Sequence, residues 1–459
     1  MYRISLMLIL LFFLQATAAS ADYARQLIDI NPTGSSDPRY LTNVNNVLYF
    51  IATDDGSSNG YDLWRSGGTA DTTIKVKDFT DSSGWNLTYV DNGEVWLYFS
   101  ASDGGNGKEL WKSDGTLAGT ALVRNINSSS DSFPDHLTDL GGGWLVFSAD
   151  DGIHGRELWK SGGLESNTYM IKDINLLSEG SDPQHFININ GILYFIADDG
   201  SHGEELWISD GTEAGTRMVK NITTNESLYT QAMELTNVDG ILFFRAYDEI
   251  THKIALWKSN GTEAGTVKVA DVNPSYLTSM NGKLYFQSVD SAGYGLELWT
   301  SDGTASGTVM VKDIYPDSGG SYPSELVNVD GSLYFRARDE TYSSGLWKSD
   351  GTPVGTVLVA GFTHCPGGIG ALTNVEGTLY FSGVDCTHGN EPWRSNGSEV
   401  STVMIADVNP TPTLGSDPSA FIGTQTAVFF VAHDGTHGNE LWVAGKAMMS
   451  PAINWLLLK

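Results

Sequence analysis

The sequence predicts an all-β protein in which nine copies of one four-stranded unit, about 47 residues each, close into a single β-propeller. Three observations carry that prediction. A tryptophan recurs at near-constant spacing, four apolar phrases surround each copy of it, and the first and last copies are complementary fragments of one unit.

The tryptophans are Trp64, Trp111, Trp159, Trp207, Trp257, Trp299, Trp347, Trp393 and Trp442, so 378 residues cover eight intervals. Around them the copy from Gln184 to Ile222 is complete: HFININ, GILYFIADD, ELWISDGTEAGT and RMVKNI. Segments of four to seven residues rich in Val, Ile, Leu, Tyr, Phe and Trp, broken by Gly, Asn, Asp and Ser, read as strands. We call them A to D. Pairs such as Asn190-Gly191, Asp239-Gly240, Asn281-Gly282 and Asp330-Gly331 tolerate the positive φ of a two-residue hairpin and join A to B. C and D are joined by Ser-Asp-Gly-Thr followed by Gly-Thr, as at Ser113 to Thr120, Ser209 to Thr216 and Ser301 to Thr308. The longest connection follows D and carries proline, as at Pro32 to Pro38 and Pro410 to Pro418, which suits the crossing into the next copy.

Leu-Trp and Leu-Tyr-Phe place large residues on both faces of a strand, so each sheet must be covered on both sides. Radial stacking satisfies that requirement, and the tryptophans are expected to pack between blades. The mature chain opens with a lone D-type strand, Gln26 to Ile30, whereas the last copy has A (Ser419 to Ile422), B (Val428 to Ala432) and C (Glu440 to Val443) but no D. Pairing the first strand with the last copy closes the ring and removes two exposed edges. A linear array or a pair of rings stays open as an alternative.

Residues 1–21 read as an export signal: Arg3, the apolar run Leu6 to Leu14, and Ala19-Ser20-Ala21 before Asp22. Residues 22–445 then form one propeller domain and 446–459 a short tail, on a secreted or surface-located monomer with no spanning segment in its mature part. With 26 basic and 55 acidic residues the formal charge is −29, which argues against nucleic acid or an anionic membrane as partner. Two cysteines exclude a disulfide scaffold.

The phrase Glu109-Leu110-Trp111-Lys112-Ser113-Asp114-Gly115-Thr116 recurs at Glu205 to Thr212 and Glu297 to Thr304, with partial forms at Ala255 to Thr262 and Gly345 to Thr352. On it the chain resembles the bacterial ELWxxDGT repeat proteins. The resemblance covers nearly the whole mature chain and implies an exported bacterial protein, with no activity or catalytic residue to carry over. The C-to-D hairpin more weakly resembles the Asp-box turn of sialidase-like propellers. Departures fall at Ser66-Gly67-Gly68, Ser161-Gly162-Gly163 and Glu391-Pro392-Trp393.

In a ring the D-to-A and B-to-C loops share one face, here called the top. Its B-to-C loops carry Asp150, Asp151 and His154, then Asp198, Asp199 and His202, with related loops at Asp385 and His388 and at Asp434 and His437. Those four histidines and Glu205 are the expected ligand-facing residues. The aspartates suit calcium, which takes about six to eight oxygens. Asp-Gly is also ordinary turn chemistry, and the turn role outweighs calcium because no loop has the alternating spacing of a calcium loop. Cys365 and Cys386 fall in top loops of one blade and are expected to pair. Gly104-Gly105-Asn106-Gly107-Lys108 lacks the spacing of a phosphate loop, and no catalytic motif occurs. The function expected from these features is extracellular recognition of a glycan or surface protein. A polysaccharide-active enzyme with carboxylates at the channel mouth and a structural surface component are the competing expectations.

Overall fold

The computed structural model describes residues 24–56, 60–80, 85–91, 93–177, 179–223, 233–289, 295–316, 319–362, 368–411 and 414–445. These form nine four-stranded antiparallel sheets arranged as a nine-bladed β-propeller. Blades 1 to 8 begin with the inner strands Arg39–Val44, Thr88–Asp91, Asp135–Gly141, Gln184–Ile189, Met233–Val238, Ser275–Met280, Ser324–Val329 and Ile369–Val375. Blade 9 holds Ser419–Gly423, Ala427–His433 and Asn439–Gly445, and its outer strand is Ala24–Gln26 from the other end of the chain.

That closing strand is shorter and earlier than the expected Gln26 to Ile30. Ala24, Arg25 and Gln26 pair with Ala444, Val443 and Trp442, and the Leu27 amide adds one bond to the Leu441 carbonyl at 2.9 Å. Leu27 and Ile30 leave the ladder because their side chains are buried between blades 9 and 1, against Phe50, Trp64 and Phe429. At the inner wall the same two blades are joined by Asn43 Nδ2, which donates to the Gly423 carbonyl at 2.6 Å.

Each tryptophan packs across a blade boundary, as the two-sided apolar strands require. Trp111 joins Tyr49, Ile51 and Leu63 of the preceding blade, and Trp257 joins Tyr194, Ile196 and Leu206. In the A-to-B hairpins both turn residues have positive φ, for example Asn190 at 54° and Gly191 at 83°. The C-to-D turn is a closed set of hydrogen bonds. Ser113 Oγ accepts from Gly115 N at 2.9 Å and meets Thr120 Oγ1 at 2.7 Å, while Asp114 Oδ1 accepts from Thr116 N at 2.8 Å. Ser-Asp-Gly-Thr with its distant Thr is therefore one structural unit, and it accounts for the most regular part of the repeat.

The inner strands hold a feature absent from the sequence reading. Except in blade 2, each has a register shift near its start, with a left-handed residue there: Tyr40, His136, His185, Glu234, Tyr276, Glu325, Ala371 or Ala420. A bulge of this kind re-aims a side chain and bends the strand.

Closure predicts a stability effect. Deleting residues 24–30 removes two buried apolar side chains, worth about 3–6 kcal/mol together, and bares the edge of the strand containing Trp442. The expected result is a lower unfolding midpoint with self-association, read by denaturant titration and light scattering. An unchanged monomer would contradict closure by that strand.

Candidate functional site

The top face is built on buried carboxylates. Glu109, Glu157, Glu205, Glu297, Glu391 and Glu440 stand at the start of their C strands and are essentially inaccessible to solvent. Each reaches into the loop that leads to the next blade. Glu157 accepts from Ile174 N at 3.0 Å, Asn175 N at 3.2 Å, Ser181 N at 2.9 Å and Ser181 Oγ at 2.6 Å. Glu440 repeats this across the chain ends, accepting from Ile30 N at 3.3 Å, Ser36 N at 2.8 Å and Ser36 Oγ at 2.6 Å. Glu205 accepts from Ile222 N and Thr223 N at 3.0 and 3.1 Å. Glu205 is therefore a buried loop anchor, and the expectation that it faces a ligand is corrected. Burial raises the carboxyls of Glu109, Glu157, Glu297, Glu391 and Glu440 against the opposing hydrogen bonds, Glu109 and Glu440 to about 7 and Glu157 to about 6.

The four Asp-x-x-His loops do sit on the top, and their polar atoms largely serve the loop itself. Nδ1 of His154, His202, His388 and His437 lies 2.8, 2.8, 2.8 and 2.6 Å from Asp151, Asp199, Asp385 and Asp434. Each aspartate also accepts the backbone N–H of its histidine. The hydrogen bond to aspartate raises the pKa of His154, His388 and His437. Asp150 and Asp198 accept from Gly152 N and Gly200 N. Among the described residues no group of three or more His, Cys, Asp or Glu is placed to hold a metal ion. Cys386 is disulfide-bonded, while Cys365, the signal segment and the tail lie outside the described residues.

One stretch of the mouth differs from the rest. Between blades 6 and 7 a cavity of about 540 Å³ is lined by Tyr276, Gln287, Tyr322, Ser324, Arg336 and Arg338 among others. Its composition follows from where blade 7 departs from the repeat. The loop triplet Ser-x-Pro carries Asp37, Asp182 and Asp417 in three copies, Phe133 in blade 3 and Tyr322 here, always with positive φ. Counting three residues on from the phenylalanine that pairs with the repeat tryptophan gives Asp150 in blade 3, Asp198 in blade 4 and Arg338 in blade 7, and neither aspartate nor arginine in the other six copies. The buried glutamate is replaced by Gly345, opposite Ala337. Arg338 is held by its donors to the Gly320 and Gly319 carbonyls, at 2.9 and 2.6 Å, and lies over the rings of Tyr322 and Tyr315. Sequence reasoning missed this groove because it looked for what recurs; the signal that could have found it is Arg338, an arginine at a position where no other copy has one.

No family model matches the chain, and no curated protein does. Among solved structures it is similar to puromycin hydrolase at 12% identity and TM-score 0.43, over 88% of this chain and 59% of that one. A puromycin-hydrolyzing peptidase of Mycobacterium tuberculosis is similar at 9% identity and TM-score 0.44, over 89% and 61%. The β-propeller domain of the trilobed protease from Pyrococcus furiosus is similar at 10% identity and TM-score 0.35, over 72% and 94%. The chain thus spans about three-fifths of the length of the first two. The likeness is one of fold alone. The expectation of an adhesion or glycan-recognition module is corrected, because the side chains expected to meet a ligand are committed to Asp–His turns or, for Glu205, buried against loop amides. That expectation and its two competitors are withdrawn.

Two outcomes test the anchors. Glu157→Ala strands several buried donors and should cost about 2–4 kcal/mol, whereas the exposed Glu213→Ala should stay within about 0.5 kcal/mol; denaturant midpoints measure both. For pH, a carboxyl whose folded pKa is raised contributes stability that is complete below its unfolded value, about 4.3, and is lost as pH rises through the folded value. The raised histidines act in the same direction. The unfolding midpoint should therefore fall between about pH 5 and pH 8, and the double variant Glu109→Gln, Glu440→Gln should flatten that dependence.

Proposed function

We propose that the ring is a peptide-binding propeller and that its differentiated site is the groove between blades 6 and 7. The observation that carries this reading is a cavity whose lining residues include Arg336, Arg338, Tyr276 and Tyr322 and no carboxylate, in a chain of net charge −29. A cavity of about 540 Å³ is in the size range of ligand sites, roughly 300–1,000 Å³. Tyr276 and Tyr322 offer ring faces to apolar side chains, and Ser324 and Ser343 offer hydroxyls to backbone amides. A peptide presents both kinds of group on one chain. Export, supported by Arg3 and the apolar run before Asp22, and kinship with the ELWxxDGT repeat proteins, supported by the recurring phrase, belong to the same proposal.

A calorimetric screen of short peptides tests it. Tyr322→Ala should weaken a binding peptide about tenfold, roughly 1.4 kcal/mol, while Tyr169→Ala, an exposed tyrosine of blade 3, should leave affinity unchanged. Equal losses in both variants, or no binding peptide at all, would reject the groove.

A further inference from the structure

We infer that the groove recognises a free carboxylate, the C-terminal end of a peptide, and that Arg336 is the residue that binds it. This deepens the peptide reading and rests on it.

Arg336 lies on the strand Ser332–Ala337 of blade 7 and Arg338 is the first residue beyond it, and both line the cavity. Their situations differ. Arg338 is spent on two loop carbonyls and two tyrosine rings, which fix it as part of the wall. The Arg336 side chain lines the same cavity, is only partly exposed, and has no hydrogen bond or ion pair to another described residue.

The equivalent residue of blade 5, Arg245, shows what the repeat does when this position needs an internal partner. Arg245 Nη1 lies 3.4 Å from Glu234, the left-handed residue of its own inner strand. Blade 7 has the corresponding carboxylate, Glu325, which accepts the Leu372 amide of blade 8 at 3.0 Å as Glu234 accepts the Leu277 amide, yet here no ion pair to the arginine forms. Gly368 of blade 8, at φ 76°, leaves room beside the guanidinium, since a Cβ there would lie 3.6 Å from Arg336 Nη2. A half-buried guanidinium with its donors uncommitted suits a bidentate carboxylate, which matches its planar fork. Arg338 adds positive potential nearby, and Ser324, whose backbone pairs with Arg336, is a further donor at the rim.

The test compares one peptide as the free acid and as the C-terminal amide, titrated into the full chain and into Arg336→Met and Arg336→Lys. The free acid should bind the parent at least about tenfold more tightly than the amide. Arg336→Met should erase that preference with the amide affinity unchanged, and Arg336→Lys should restore part of it. Unchanged far-ultraviolet circular dichroism and unfolding midpoint show that the variants are folded. Acid and amide binding alike to the parent overturns the carboxylate assignment and leaves the peptide reading standing, whereas failure of both to bind overturns the two together. Inorganic phosphate competing as well as the free acid would also overturn it, by showing a general anion site.

Discussion

A carboxylate buried at most blade boundaries, glutamate in six blades and Asp62 in blade 1, is the constraint on which the rest of this structure depends. An ionisable group taken out of water is costly unless hydrogen-bond donors replace the lost hydration. At Glu157 four donors do so, and all of them belong to the loop that crosses into the next blade. One side chain therefore fixes the start of a C strand, the path of the following loop and the entry to the neighbouring inner strand. Glu440 applies the same device to residues 30–36, so the chain ends are held by the interaction that holds most interior boundaries. Non-covalent closure of the ring is thus one more instance of a local rule.

The rule also explains why the top face is stiff where it is regular. The loops that would otherwise be free to rearrange around a ligand have their amides satisfied from below by glutamate and their aspartates satisfied by neighbouring histidines. Such loops expose few uncommitted donors. Blade 1 has the shorter Asp62 in place of the glutamate, and blades 5 and 7 have Ala255 and Gly345. Blade 5 compensates with Asp248, which takes Lys268 at 2.8 Å. Blade 7 continues its outer strand to Gly361 against Gly345.

Much of this was legible in the sequence and some was not, for identifiable reasons. The period, the strand order and the shared face of the loops follow from residues that must recur for purely geometric reasons: the boundary tryptophans, the positive-φ pairs such as Asn190-Gly191, and the Ser–Thr closure of the outer hairpin. The glutamate of Glu-Leu-Trp was equally regular, yet its regularity was read as ligand chemistry at Glu205. Polar periodicity cannot by itself separate a residue that faces solvent from one that is buried against loop amides, because the partners are backbone atoms with no sequence signature. The closing strand was found but displaced, since Leu27 and Ile30 resemble strand residues while in fact packing between blades.

A repeat ring solves its folding problem nine times with one set of residues, so the positions free to specialise are those where a copy has abandoned that set. Blade 7 differs at three places: Gly345 where six blades carry the buried glutamate, Tyr322 where three loops carry aspartate, and Arg338 where blades 3 and 4 carry Asp150 and Asp198. The cavity that Tyr322 and Arg338 line has two arginines and no carboxylate among its lining residues, in an otherwise acidic chain. Loss of the anchor alone would leave a looser loop. The tyrosines and carbonyls that grip Arg338 rebuild rigidity by other means, which sets a stiff, positively charged wall beside Arg336. Replacement of one structural device by another distinguishes a differentiated site from simple decay of the repeat.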